Sequence, residues 1–291
     1  MTEPTTLIDR HGRSHRFPPP LERHYPVVDG RVVTRSLEAH VVDHCNLTCA
    51  ECCSLSPYLP RRLTSPDDLA RDLELAAAVL APTVLKLVGG EPLLHPELPE
   101  LLRVARAQRI APRVSLTTNG VLLPRMPDAA WEQLHAITIS RYPAPALSEE
   151  VVAQVEAKAA RFGVELNWKQ QDRFVKMSRP DSGGDAEAEA ERTAEIYERC
   201  WIRERCHLVR DGYLYTCTRP VHFGSLYDVD PRVDGVPLSG ASPQGVLAYL
   251  LRERPLETCA RCAGGDAPMV PHRLLSAQEL ARGRRAAGGR G

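Results

Sequence analysis

Three cysteines, Cys45, Cys49 and Cys52, stand in the spacing C-x3-C-x2-C directly after an apolar run. Three thiolates at this spacing suit a cubane four-iron cluster. They hold three irons and leave the fourth open to chelate a substrate, which a four-cysteine electron-transfer site cannot do. A zinc ion completed by His44, or a set of buried free thiols, would use the same residues. Cys53 adds an adjacent thiol and reads as a small buried non-ligand. Five more cysteines, Cys200, Cys206, Cys217, Cys259 and Cys262, follow in the last third of the chain. Where thiols stay reduced, cysteines in such number point to metal rather than disulfides.

The composition excludes several partner classes. Lys plus Arg total 37 and Asp plus Glu total 37, so the overall field draws the chain to neither nucleic acid nor an anionic membrane. The Pro-rich start lacks the apolar core of a signal peptide, and no stretch approaches the roughly 18 apolar residues of a membrane span. A cytoplasmic protein is expected.

The elements that must position the cysteines alternate regularly. Apolar runs at Ala39–Val42, Val84–Val88, Arg113–Thr117, Ala136–Ser140 and Val164–Trp168 read as strands. Helices are expected from the Ser65-Pro66 cap to about Leu80, from Pro96 to Gln108, near Asp128–Leu134, and over Ser148–Phe162. Strand–helix alternation at this spacing predicts parallel, right-handed βαβ units. An α/β fold follows: a partial (β/α)6 TIM-like barrel with a small C-terminal domain of a β-hairpin plus helix. Its site belongs at the C-terminal ends of the strands, where the unusual residues fall. The expected division is a Pro-rich segment at 1–36, the barrel at 37–178, a linker helix at 179–198 after Ser182-Gly183-Gly184, the small cysteine domain at 199–275, and a disordered tail at 276–291.

The strand-end motifs carry a resemblance. C-x3-C-x2-C after the first strand, Gly89-Gly90-Glu91-Pro92 after the second and Thr118-Asn119-Gly120 after the third resemble the radical SAM superfamily over roughly residues 37–175. The resemblance implies a 4Fe–4S cluster on Cys45, Cys49 and Cys52 whose open iron binds S-adenosylmethionine. Reductive cleavage would then give a 5′-deoxyadenosyl radical. It implies that Gly89, Gly90 and Glu91 hold the methionine amino group, with Asn119, Ser140 and Arg141 as further cofactor contacts. The family usually has an aromatic residue before its third cysteine; here that position is Glu51, so adenine contact must come from elsewhere.

The second group, with Cys200, Gly212 and Cys217 at C-x11-G-x4-C spacing and then Cys259-x2-Cys262, resembles the SPASM/twitch extension of the same superfamily. That implies one auxiliary 4Fe–4S cluster held by Cys200, Cys217, Cys259 and Cys262. Cys206 is a rival to Cys200, and a zinc ribbon would use the same pattern. Asp211-Gly212 reads as a hairpin turn presenting Cys217. With a single auxiliary cluster the chain resembles antibiotic-pathway sugar epimerases of the neomycin C epimerase type and the aminocyclitol dehydrogenase of butirosin biosynthesis. This implies a small carbohydrate substrate and an external electron donor such as flavodoxin or ferredoxin. The spare thiol, Cys206, is the expected hydrogen donor. Peptide maturation is the rival class, disfavoured because only 36 residues precede the first strand. Lys169, one of four lysines in the chain, is a candidate proton acceptor or charge contact. Tyr58, His95, Tyr142, Trp168, Arg219, His222 and His272 are candidate substrate contacts.

Overall fold

The computed structural model describes residues 5–8, 14–17, 25–179, 185–227 and 229–288. The expected Ser182-Gly183-Gly184 linker lies outside them. Five parallel strands follow the apolar runs: β1 (Leu37–Val42), β2 (Val84–Gly89), β3 (Arg113–Thr118), β4 (Ala136–Arg141) and β5 (Glu165–Gln170). Between them run helices α1 (Pro66–Val79), α2 (Leu98–Ala107), α3 (Asp128–Trp131) and α4 (Glu149–Phe162). Local chemistry sets their limits. Ser65 and Ser148 accept backbone N–H groups at the starts of α1 and α4, and Gly163 ends α4 in the left-handed conformation.

The sixth parallel strand, β6 (Leu208–Arg210), pairs with β1 rather than with β5. The sheet therefore runs β5–β4–β3–β2–β1–β6, with β7 (Tyr213–Tyr215) and β8 (Val236–Pro237) added antiparallel. This is an open, partial TIM-like α/β barrel. The cysteine-bearing hairpin is thus no separate sheet but continues the barrel's own, because β1 offers an edge that β6 fills. Asp211 and Gly212 turn it at φ of 54° and 78°, and the Asp72 carboxylate of α1 accepts both N–H groups, at 2.9 and 2.6 Å.

Side chains alternate across this sheet. One face carries Leu37, Leu85, Leu87, Leu116, Ile137 and Ile139, buried against Leu69, Leu73, Leu101 and Val155 of α1, α2 and α4. Each buried Leu there contributes roughly 1.5–3 kcal/mol. The register places Glu38, Lys86, Ser115, Ala136 and Glu165 on the other face, followed by Thr117, Thr138 and Asn167, then Ser140 and Lys169.

Beyond the sheet run α5 (Ala186–Arg199), α6 (Ile202–Arg205), α7 (Arg219–Tyr227) and α8 (Pro243–Leu250). The expected strand pair near the N-terminus is present, as Val27–Val28 against Arg31–Thr34. The C-terminal expectation needs correction. In place of a disordered tail from residue 276, α9 spans Ala277–Gly288. Ser276 and Glu279 form a reciprocal cap, with Glu279 N donating to Ser276 Oγ at 3.3 Å and Ser276 N to Glu279 Oε2 at 2.8 Å. Arg284 then ties the helix to the Pro57 carbonyl at 3.0 Å.

Candidate functional site

The loops after β1, β2 and β3 interlock. Gly90 N donates to Val42 O at 2.7 Å and Glu91 N to His44 O at 3.0 Å. A Cβ on Gly89 would lie 2.2 Å from Val42 O, and one on Gly90 2.1 Å from His44 O. Only glycine permits this approach. The Glu91 side chain is fully buried. Its Oε1 accepts from Leu93 N at 3.0 Å and Thr118 Oγ1 at 2.7 Å, and its Oε2 from Asn119 N at 2.8 Å. Burial pushes this carboxyl above its ordinary pKa, against those hydrogen bonds. Asn119 in turn donates from Nδ2 to Asn46 Oδ1 at 2.7 Å and reaches Cys45 Sγ at 3.7 Å.

Cys45, Cys49 and Cys52 gather with Leu47, Tyr142, Phe174 and Val270. Burial pushes the Cys45 thiol up to about 11 and those of Cys49 and Cys52 to about 12. Three soft sulfurs in so dry a place fit a cationic iron–sulfur core, which supplies the charge that lets them ionise. Leu47 N already points at Cys45 Sγ, at 3.3 Å. Glu51 sits at φ 56° and accepts from Met177 N at 2.7 Å, so this position braces the loop. His272 Nε2 lies 3.2 Å from Cys49 Sγ, and its ring stacks on Tyr142 at 4.8 Å. Ser140 is buried, and the Arg141 guanidinium lies over the Trp168 ring at 5.6 Å.

The second group converges on one pocket, lined by Cys200, Cys217, Cys259 and Cys262 but not by Cys206. Asp234 holds the turn that carries Cys259, accepting from Glu257 N at 2.6 Å and Thr258 N at 2.9 Å. Gly264 N donates to Cys262 Sγ at 3.3 Å. Arg203 and Arg219 also line the pocket, and the Nε of each is buried without a partner. Neither forms an ion pair with a carboxylate among the described residues. Arg203 donates to Arg252 O at 3.2 Å and Arg219 to Cys53 O at 2.8 Å, but four metal-bound thiolates carry net negative charge, so guanidinium groups without a carboxylate partner fit an anionic cluster there. Among the described residues no trio of His, Cys, Asp or Glu closes on a single ion.

The remaining candidates are spread over the molecule, and Cys206 packs with Tyr197, Ile202, Cys217 and Leu256. Glu38 and Lys86 approach to 3.9 Å. The Cys206 thiol, raised far above the ordinary range by burial and then by Glu38, senses both. Lys169 lies within β5, exposed, rather than after it. His222 is wholly buried and bonds through Nε2 to His40 Nδ1 at 3.1 Å. His95 caps a turn, meeting Thr64 O at 3.0 Å and accepting from Glu97 N at 3.1 Å. Trp168 packs on the helix-facing side, and Tyr58 against Gly283 of α9. Sequence reasoning missed Glu38, His40 and Lys86. The strand alternation of Glu38 with His40 was the available signal, whereas nothing local marks His272 as the partner of Cys49.

Residues 40–142 match the family model of the Radical SAM superfamily. This segment of the chain is similar to the radical SAM superfamily. The matched segment holds all three cysteines of the first loop, Gly89–Glu91 and Asn119. Among curated relatives, GTP 3′,8-cyclase 2 of Mycobacterium bovis is 40% identical over 112 residues, 37% of this chain and 31% of the relative. GTP 3′,8-cyclase of Chlorobaculum tepidum is 43% identical over 94 residues, 32% of this chain and 28% of the relative. The matched stretch thus spans under a third of either relative's length. The crystal structure of BtrN in complex with AdoMet and 2-DOIA aligns at a TM-score of 0.48 and 13% identity, covering 79% of this chain and 85% of that one. No helix among the described residues is long and apolar enough to cross a membrane.

Proposed function

We propose that this radical SAM protein carries one auxiliary four-iron cluster and epimerises a carbon of a sugar or aminocyclitol in natural-product biosynthesis, with Cys206 as hydrogen donor. The observation that carries the reading is the polar inner face. Closed parallel barrels fill this space with branched apolar side chains. Here Glu38, Lys86, Thr117, Thr138, Asn167 and Lys169 face it, supplying donors and acceptors for a polyhydroxylated, aminated substrate. Cys206 is buried against Tyr197, Ile202, Cys217 and Leu256, and burial raises its thiol pKa, which favours the S–H form that can give up a hydrogen atom.

When bound at Cys45, Cys49 and Cys52, a four-iron cluster with S-adenosylmethionine supplies a 5′-deoxyadenosyl radical that abstracts hydrogen. We assign the cofactor's methionine and ribose to the strand ends with Gly89, Gly90, Asn119, Ser140 and Arg141. Glu91 Oε2 takes only one hydrogen bond from the chain and keeps a lone pair for the methionine ammonium. We assign the auxiliary cluster to Cys200, Cys217, Cys259 and Cys262, since these line the common pocket. An external donor such as flavodoxin or ferredoxin would supply one electron for the cleavage and a second, taken up with a proton, to restore the Cys206 thiol after it gives up its hydrogen atom.

The same face supports a second reading, dehydrogenation of a secondary alcohol, because it carries the acid–base side chains Glu38 and Lys169. Reaction in D2O with candidate aminoglycosides or nucleotide-linked sugars, and with GTP alongside, decides between them. A thiol exchanges with solvent, so epimerisation places deuterium on the inverted carbon and Cys206→Ala stops it with both clusters intact. A carbonyl product without label supports dehydrogenation. Turnover of GTP alone overturns the carbohydrate reading.

A further inference from the structure

We propose that His272 is a positioning residue for the first cysteine site: its imidazole N–H donates to the Cys49 sulfur and raises the reduction potential of the cluster bound there. The inference rests on the radical SAM reading above. The Nε2 atom stands 3.2 Å from Cys49 Sγ. The other ring nitrogen, Nδ1, is buried without a partner. A proton on Nδ1 would leave an orphaned buried donor, so the proton belongs on Nε2, directed at the sulfur.

The ring is held from several sides. It stacks on Tyr142 at 4.8 Å with planes 16° apart and packs on Phe174 at 5.4 Å. Its backbone N–H donates to Asp172 O at 2.7 Å. On the N-terminal side, Met269–Pro271 pairs antiparallel with Arg173–Val175. On the C-terminal side the chain pairs with the cysteine loop itself, Ala50 N donating to Arg273 O at 2.9 Å and Leu275 N to Thr48 O at 2.8 Å. An imidazole pinned by backbone bonds on both flanks does not swing away when Cys49 ionises.

Ligand sulfurs carry more negative charge in a reduced cluster than in an oxidised one. An N–H donor at such a sulfur therefore favours the reduced state and shifts the potential upward. Cys45 draws donors from inside the matched segment, Leu47 N and Asn119 Nδ2. Cys49 draws its imidazole from 223 residues further along the chain.

The test is a redox titration of anaerobically reconstituted full-length protein, following the electron paramagnetic resonance signal that S-adenosylmethionine perturbs. His272→Phe keeps a stacking ring and removes the donor; a negative shift of the midpoint potential with full iron content is expected. His272→Gln keeps an N–H donor, and a potential nearer wild type is expected. An unchanged potential in His272→Phe overturns the inference alone, as does equal loss of first-site iron from both variants. Wild-type protein with no four-iron cluster lost on Cys45→Ala overturns the function reading together with it.

Discussion

The ion pair between Asp43 and Arg210 is the sharpest test of how the cysteine loop is anchored. Asp43 stands at the end of β1, two residues before Cys45, and Arg210 ends β6. Arg210 Nη1 and Nη2 donate to Asp43 Oδ1 and Oδ2 at 2.8 and 2.7 Å. The two side chains are only 7% and 9% exposed. In Asp43→Asn an amide NH2 faces a guanidinium donor, and the buried cation keeps only the more distant, half-exposed Asp211 carboxylate, at 3.8 Å. Breaking a buried pair from one side costs about 3–5 kcal/mol. At roughly 2–4 °C per kcal/mol for large domains, melting should fall by on the order of 10 °C. Urea and thermal unfolding of wild type, Asp43→Asn, and the double variant Asp43→Leu with Arg210→Met check this. The double variant, with an apolar pair of similar bulk, should recover most of the loss. A cost below about 1 kcal/mol, the range of exposed pairs, would refute the reasoning, as would a double variant no better than the single one.

Gly90→Ala places a methyl where His44 O now lies 2.1 Å away, so the loops after β1 and β2 must part. Overpacking of this kind costs about 1–3 kcal/mol; reconstituted protein should lose iron at the first site and keep it at the four-thiol pocket, as iron analysis with spectroscopy would read. Glu279 is held down to about 2 by Arg273 and then by Ser276. A depressed carboxylate stabilises above its ordinary pKa near 4.5 and loses that contribution as pH falls through about 2. Protection of the α9 amides, after correction for the intrinsic pH dependence of exchange, should fall across that window, and Glu279→Gln should show no such dependence.

Much of the barrel was legible because its signals are local. Apolar runs closed by Gly89-Gly90 or Thr118-Asn119-Gly120 mark strand ends, and Ser65-Pro66 and Ser148 mark helix starts. The α9 helix was misread because Arg, Gly and Ala dominate its composition, while the cap at Ser276 and Glu279 occupies only four positions. The place of β6 was not legible at all. A three-residue strand carries no periodicity, and its choice of β1 depends on an open edge and on Arg210 finding Asp43. The cysteine spacing pointed to both groups of thiols, but the pocket's two arginines without a carboxylate partner and the contact of His272 with Cys49 arise only in three dimensions.

The pairing of β6 with β1 has a consequence for any attempt to take the molecule apart. A fragment ending at residue 178 would leave β1 with a bare row of amide and carbonyl groups beside the first cysteine loop, an invitation to pair with another chain. It would also take from Asp43 the bidentate partner Arg210. The half that holds the reactive loop is therefore the half least able to stand alone.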